Sequence, residues 1–225
     1  MALSTTDLPE GGGGLPKTIA TGNYTVKINS VYLDDFKFIP GAKHLMMNVE
    51  TKPIEGFEGF MIDKDDESKG HYEGQIGRLK ASQYAFADGK TKSGVEIFRD
   101  KSLMIFLKNF NMALGTYDWF LAQNDKHDTI EDFIEAFNND APFKDIFLDI
   151  CIAGKEYEGK SGYINHDLWI AKGSKAGYAY TEEGGGVMKY SEAEHLKKME
   201  VKPVTAFDAD DFSVPPRASS DFSLD

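Results

Sequence analysis

Residues 23–35, NYTVKINSVYLDD, change hydrophobic phase once, and that single break limits what the chain can fold into. Tyr24, Val26 and Ile28 alternate with Thr25, Lys27 and Asn29, yet after Ser30 the apolar set resumes at Val31 and Leu33. One long strand with one extra residue accounts for the shift, because a bulge bends a strand and exchanges its faces.

The rest of the chain supplies neighbours for that strand. HLMMNVETK (44–52) alternates Leu45, Met47 and Val49, and EGFEG (55–59) reads as a turn into a third short strand, FMID. Residues 64–101 form a polar, glycine-rich insertion without a sustained apolar period. In SLMIFLKNFNMALG, Ser102 suits a helix N-cap, Leu103, Phe106, Leu107, Phe110 and Leu114 fall at helical spacing, and Gly115 suits the stop. A second helix follows at TIEDFIEAFNN, capped by Thr129, with Ile130, Phe133, Ile134 and Phe137 as its stripe.

Two further strands are predicted. DIFLDICIAG alternates Ile146, Leu148, Ile150 and Ile152 against Phe147, Asp149, Cys151 and Ala153. After a turn at KEYEGKSG, YINHDLWIAK puts Ile164, Leu168 and Ile170 on one face and Tyr163, Asn165, Asp167 and Trp169 on the other. Past Gly173 the periodicity fades, apart from a short helical pattern at AEHLKKME. Three strands, helices, then two strands, with the first strand long and bulged, is the element count of a mostly β, five-stranded OB fold carrying a helical insertion between strands 3 and 4. The expected organisation is a flexible leader at 1–16, the barrel domain at 17–172, and a linker with a disordered acidic tail at 173–225.

Charge separates the insertion from its surroundings. The chain carries −12 overall, which argues mildly against coating nucleic acid over the whole surface but leaves room for a local basic groove. Lys69, Arg78, Lys80, Lys90, Lys92, Arg99, Lys101 and Lys108 outnumber Glu73, Asp88, Glu96 and Asp100, and Tyr72, Tyr84, Phe86 and Phe98 are interleaved. Cations can follow a phosphate backbone while aromatic faces accept unstacked bases. The same composition also describes a solvated hairpin with ordinary surface lysines. An outward Tyr163 and Trp169 would add stacking platforms, unless a helix or the insertion covers that face.

Other chemistries fit less well. GGGGLPKT places Leu15 and Pro16 between glycine and Lys17, so it fails as a phosphate loop. DKDDES (63–68) starts like a calcium loop but has Ser68 where glycine is needed and Gly74 where a bidentate glutamate is needed. His44, His71, His127, His166 and His195 are scattered, without zinc-ligand spacing to a cysteine. Glu50 and Lys52 in VETK have the Glu-x-Lys spacing of some magnesium-dependent nucleases, with Asp34 or Asp35 as the further acid. On this strand Glu50 also reads as a plain solvent-face residue. Cys151 is the only cysteine, which fits a reducing compartment. A secretory signal or membrane span is not expected, and a cytoplasmic protein is the default reading.

GNYTVKI, VETKPIEGFEGF, LKNFNMALG and DIFLDICIAGKEYEGKSGYINHDLWIAK resemble a group of tailed-phage proteins from phages of low-GC Gram-positive hosts, encoded among early genes for DNA replication and recombination. Those proteins are taken to be single-stranded DNA-binding proteins with an OB fold. The resemblance spans roughly residues 16–172. It implies a non-catalytic protein of phage origin, acting in the cytoplasm of the bacterial host, and it supplies no residue-level site; no cofactor or metal is expected from the motifs above. The expected DNA contacts therefore rest on charge and aromatic pattern: Lys69, Arg78, Lys80, Lys90, Lys92, Arg99 and Lys101 on phosphate, with Tyr84, Phe86, Tyr163 and Trp169 on bases.

The last residues, DADDFSVPPRASSDFSLD, resemble the acidic, hydrophobic-tipped tails by which single-stranded DNA-binding proteins dock partner enzymes, although the tip is not Pro-Phe. Asp210, Asp211 and Asp221 would steer the tail to basic partners, and Phe212, Phe222 and Leu224 would fill an apolar pocket. A plain solubilising tail is the alternative. Expected partners are single-stranded DNA, phage or host replication and recombination proteins, and further copies of the chain. The rival functions are a Mg²⁺-dependent nuclease using Asp35, Glu50 and Lys52, and a protein-interaction adaptor without DNA affinity.

Overall fold

The computed structural model describes residues 17–55, 57, 60–61, 71–160, 162–171 and 188–200. The leader, the calcium-like turn, Lys69 and the six tail residues Asp210, Asp211, Phe212, Asp221, Phe222 and Leu224 lie outside the described residues.

The bent strand is present. β1 spans Gly22–Asp35, and its register with β2 (Lys43–Thr51) slips between Ile28 and Ser30, so that Asn29 is the extra residue. Ile28 and Val31 both point inward as a result, at 4% and 1% exposure. The bulge bends β1 so that it pairs with two strands of the same sheet. Its first part, Gly22–Lys27, pairs with β8 (Phe147–Glu158), and Val26–Asp35 pairs with β2.

The barrel's third strand is not FMID. β3 (Phe60–Met61) pairs only with β4 (His71–Tyr72) in a separate two-stranded hairpin. The third barrel strand is β5 (Ile76–Lys80), inside the stretch read as an unpatterned insertion. Five residues with a glycine at the second position give too short a period to detect. β5 runs antiparallel to β2 and parallel to β9 (Ile164–Ile170), and β9 is antiparallel to β8. The order β1-β2-β5-β9-β8 returns to β1, which closes a five-stranded, mostly β barrel with helices attached.

A further hairpin, β6 (Gly89–Lys90) and β7 (Glu96–Ile97), precedes the helices. Helix α1 spans Arg99–Leu114 with Phe98 rather than Ser102 at its N-cap, and the Ser102 hydroxyl donates to Phe98 O at 2.9 Å. Gly115 stops it in the left-handed region at φ 73°, where a side chain would be strained. α2 is a short helix, Tyr117–Ala122, and α3 spans Ile130–Asp140 with the Thr129 hydroxyl accepting from Asp132 N at 3.1 Å. The predicted stripes of α1 and α3 are buried and join the barrel lining, Val26, Leu45, Met47, Leu79, Ile150 and Ile152 among others, in one hydrophobic core. No helix among the described residues is long and apolar enough to cross a membrane.

The chain then returns as a strap. AEHLKKME is helical only in part: α4 (Glu192–His195) gives way at once to β10 (Leu196–Lys197), which lies parallel to Gly154 and Lys155 of β8. Asn23 ties the strap down, donating to Met188 O at 2.8 Å and accepting from Tyr190 N at 2.7 Å.

Candidate nucleic-acid interface

Alternation on β5 decides which side chains leave the barrel. Leu79 points inward with no exposure, so Arg78 and Lys80 point outward. Register then lines up an outward row across four strands, Tyr32, Met46, Lys80 and Trp169. Ser30, Asn48 and Arg78 make the next row. The Arg78 guanidinium lies 5.7 Å over the Tyr32 ring and donates to Asp34 at 3.3 Å. Lys80 Nζ sits 2.6 Å from Asp167 Oδ2. Arg78 and Lys80 are thus brought together, but each has a carboxylate within reach. The face is a lattice of ion pairs rather than an open positive trough.

His44 lies on the same face, 7% exposed and edge-on to Phe36 at 5.1 Å. Burial, followed by the positive charge of Lys80, holds its imidazole below the ordinary value, against the pull of Asp167 and Asp34.

Three features flank this face. The β1–β2 loop presents Phe38 at 85% exposure and Ile39 at 48%, with Phe36 packed 5.4 Å from the Phe38 ring. Sequence reasoning missed this loop. The readable signal was the aromatic-lysine-aromatic run Phe36-Lys37-Phe38 just before Pro40-Gly41. Second, β5 and β9 meet at one register pair, Lys80 with Trp169. Beyond it lies a cleft of about 460 Å³ lined by Asn48, Arg78, Tyr157, Asn165 and His166. Third, a pocket of about 310 Å³ separates the Ser82–Tyr84 turn from the strap, and Tyr84, Trp169, His195 and Lys197 line it.

The remaining expected contacts divide. Tyr84 and Tyr163 are exposed, at 72% and 73%. Trp169 leaves the barrel outward but is only 8% exposed, because Met188 and Tyr190 of the strap pack on it together with Cys151, Ala153 and Ala171. The cover expected from a helix or the insertion is the C-terminal strap instead. Phe86 is partly buried. Its backbone bridges Lys43 in both directions, at 2.8 and 2.9 Å, and its ring packs on the core 6.3 Å from Phe106. Arg99 is a structural tie that donates to Asp100 at 2.6 Å and to Gly41 O at 3.0 Å. Those bonds and the Phe86 bridge bracket the β6–β7 hairpin beside the β1–β2 loop. Lys90 on that hairpin is exposed, 3.7 Å from Glu96, Lys92 is exposed in its turn, and Lys101 is exposed on α1.

The nuclease set does not converge. Asp35 pairs with Lys43 at one end of β1, while Glu50 aligns with Lys27 near the other. Eight residues of strand put them more than about 20 Å apart. Glu50 is 5% exposed, holds Lys27 at 3.1 Å, and accepts from the backbone N–H groups of Glu73 at 3.1 Å and Gly74 at 3.4 Å. The expected solvent-face residue is a buried tie. A Cβ at Gly74 would lie 2.1 Å from Thr51 O, so only glycine lets the backbone come that close. Lys52 sits 5.2 Å over the Phe147 ring. Among the described residues no group of three or more His, Cys, Asp or Glu side chains is placed to hold a metal ion.

Comparison of the chain with family models, with curated proteins and with solved structures returns no match in any of the three.

Proposed function

We propose that this chain is a sequence-tolerant single-stranded DNA-binding protein of the OB class, acting in phage DNA replication or recombination in the bacterial cytoplasm. The observation that carries the reading is the order of the closed barrel. Numbered by barrel position it runs 1-2-3-5-4, with the third strand parallel to the fifth and the helices between the third and fourth. OB barrels take oligonucleotides on the outer face of strands 2 and 3 and on the loops beside it. Here that face carries Arg78 and Lys80, with Tyr84 and Trp169 alongside.

In this reading phosphates displace Asp34 and Asp167 from Arg78 and Lys80, while bases stack on Tyr84, Tyr163 and the Phe38 ring. Each stacked base contributes on the order of 1–3 kcal/mol. Binding is salt-dependent through the phosphate contacts, and the exchange of carboxylate for phosphate makes it weaker and its salt slope shallower than an open cationic face would give. The tail beyond residue 200 serves as the recruiting segment for partner proteins.

The test is a salt titration of oligo-dT binding, read by Trp169 fluorescence in a Trp119→Phe background. Quenching that weakens with salt, is reduced in Tyr84→Ala and Arg78→Ala, and is small for duplex supports the proposal. Equal affinity for duplex sinks it, and so does Mg²⁺-dependent cleavage of labelled DNA that disappears in a folded Glu50→Gln protein. Deletion of residues 206–225 should leave oligo-dT affinity equal or tighter.

A further inference from the structure

The helical insertion holds a pocket that the proposed DNA face does not use. It measures about 300 Å³ and lies between α1, α2 and α3. Its apolar lining is Met104, Phe120, Leu121, Ile130 and Phe133, with the Phe120 and Phe133 rings 5.7 Å apart.

Two independent features mark it as a docking site. α2, with the sequence YDWFLA, is largely apolar, yet it buries none of its residues fully and leaves Leu121 51% exposed. An apolar helix so incompletely covered has contact area left for another molecule. The rim has one sign. Asp100, Asp125 and Asp128 line the pocket, and no lysine or arginine does. Asp100 already holds Arg99 at 2.6 Å, so Asp125 and Asp128 are the selecting charges.

We propose that this pocket docks a basic segment of a partner protein, one with a leucine or phenylalanine anchor flanked by lysine or arginine. The anchor fills the space between Phe120, Leu121 and Phe133, and the flanking cations face Asp125 and Asp128. The chain's own tail has suitable phenylalanines in Phe212 and Phe222 but carries Asp210, Asp211 and Asp221 beside them, the wrong sign for this rim. A second partner contact, separate from the recruiting tail and from the DNA face, is thereby assigned to the helical insertion.

The test uses ¹⁵N-labelled full-length protein and two short synthetic peptides with the same leucine-phenylalanine core, one flanked by lysine pairs and one by glutamate pairs. The lysine peptide is expected to shift the amides of residues 121–130, and to bind about tenfold more weakly when ionic strength rises from about 0.05 to 0.5 M. Leu121→Asp should weaken it by about tenfold or more, and Asp125→Asn with Asp128→Asn by a similar factor. Leu121 and both aspartates lie at the surface of the insertion, and retained amide dispersion verifies that the variants fold. Tyr84→Ala should change nothing, so a failure of the DNA proposal leaves this measurement intact. Equal shifts with both peptides, or none at residues 121–130, overturn the proposal.

Discussion

Lys80 Nζ lies 2.6 Å from Asp167 Oδ2, and the pair spans the parallel seam where β5 meets β9. Lys80 also aligns with Trp169 across that seam. This cation of the proposed DNA face is therefore part of the barrel's closure. Its charge is available to a phosphate only in exchange for Asp167.

Asp167→Asn removes the competitor and keeps the shape. Oligo-dT affinity is expected to rise severalfold at low salt. The slope of log affinity against log salt should steepen by up to about 0.7, because no displaced carboxylate is left to take up a cation against the counterion that the phosphate releases. Lys80 is 19% exposed and Asp167 42%, so the stability change should stay within about 1 kcal/mol. Unchanged affinity in Asp167→Asn would remove Lys80 from the contact set.

Asn138 completes the edge that β1 loses at its bulge. Past Lys27, β1 no longer pairs with β8, and the Asn138 side chain takes that place: Val31 N donates to its Oδ1 at 2.8 Å and its Nδ2 donates to Val31 O at 2.5 Å. Asn138→Leu leaves both backbone groups part-buried without that partner. A loss of about 1–3 kcal/mol in urea unfolding is expected.

His44 sets a pH limit. In the unfolded chain it protonates near 6.5, whereas burial and Lys80 hold it lower in the fold. Between those two values the unfolded state binds more protons, so stability rises with pH through a window just below 6.5 and levels off above it. Urea midpoints measured from pH 5 to 7.5 should show that rise, and His44→Phe should flatten it.

Cys151 reports on the strap. It is 2% exposed under Met188 and Tyr190, and burial pushes its thiol up. A thiol reagent at pH 8 should react slowly with the native protein and at least about tenfold faster with Tyr190→Ala. An equal rate would mean that the strap does not shield the sheet in solution.

Much of this architecture is legible in the sequence, for identifiable reasons. The β1 bulge shows because Val26, Ile28, Val31 and Leu33 cannot share one face without it. The α1 and α3 stripes show because eleven or more residues carry a period of 3.6. β5 does not show, since IGRLK offers little alternation and its inward Leu79 gains meaning only beside Met47. The structural contacts of Phe86 and Arg99 do not show for the same reason. Their partners, Lys43 and Gly41, are far away in sequence, and composition cannot separate a buried ring or a tied guanidinium from free ones. The Phe36-Lys37-Phe38 loop is readable as an aromatic-lysine-aromatic run, but it lies outside the charge-rich insertion.

The joint between β5 and β9 also bears on how quickly the molecule can assemble. Its two sides are 87 residues apart along the chain, measured from Lys80 to Asp167, and the helices and β8 lie between them. Closing so long a loop costs entropy before any contact repays it. The β1–β8 pairing closes a longer loop still, but it is held by the whole run Gly22–Lys27 whereas β5 and β9 meet only at Lys80 and Trp169, so this joint is expected to be the first to breathe. Slow hydrogen exchange should spread through the β1–β2 ladder while the amides near Lys80 and Trp169 exchange early, giving the finished barrel a built-in hinge line along its DNA-facing side.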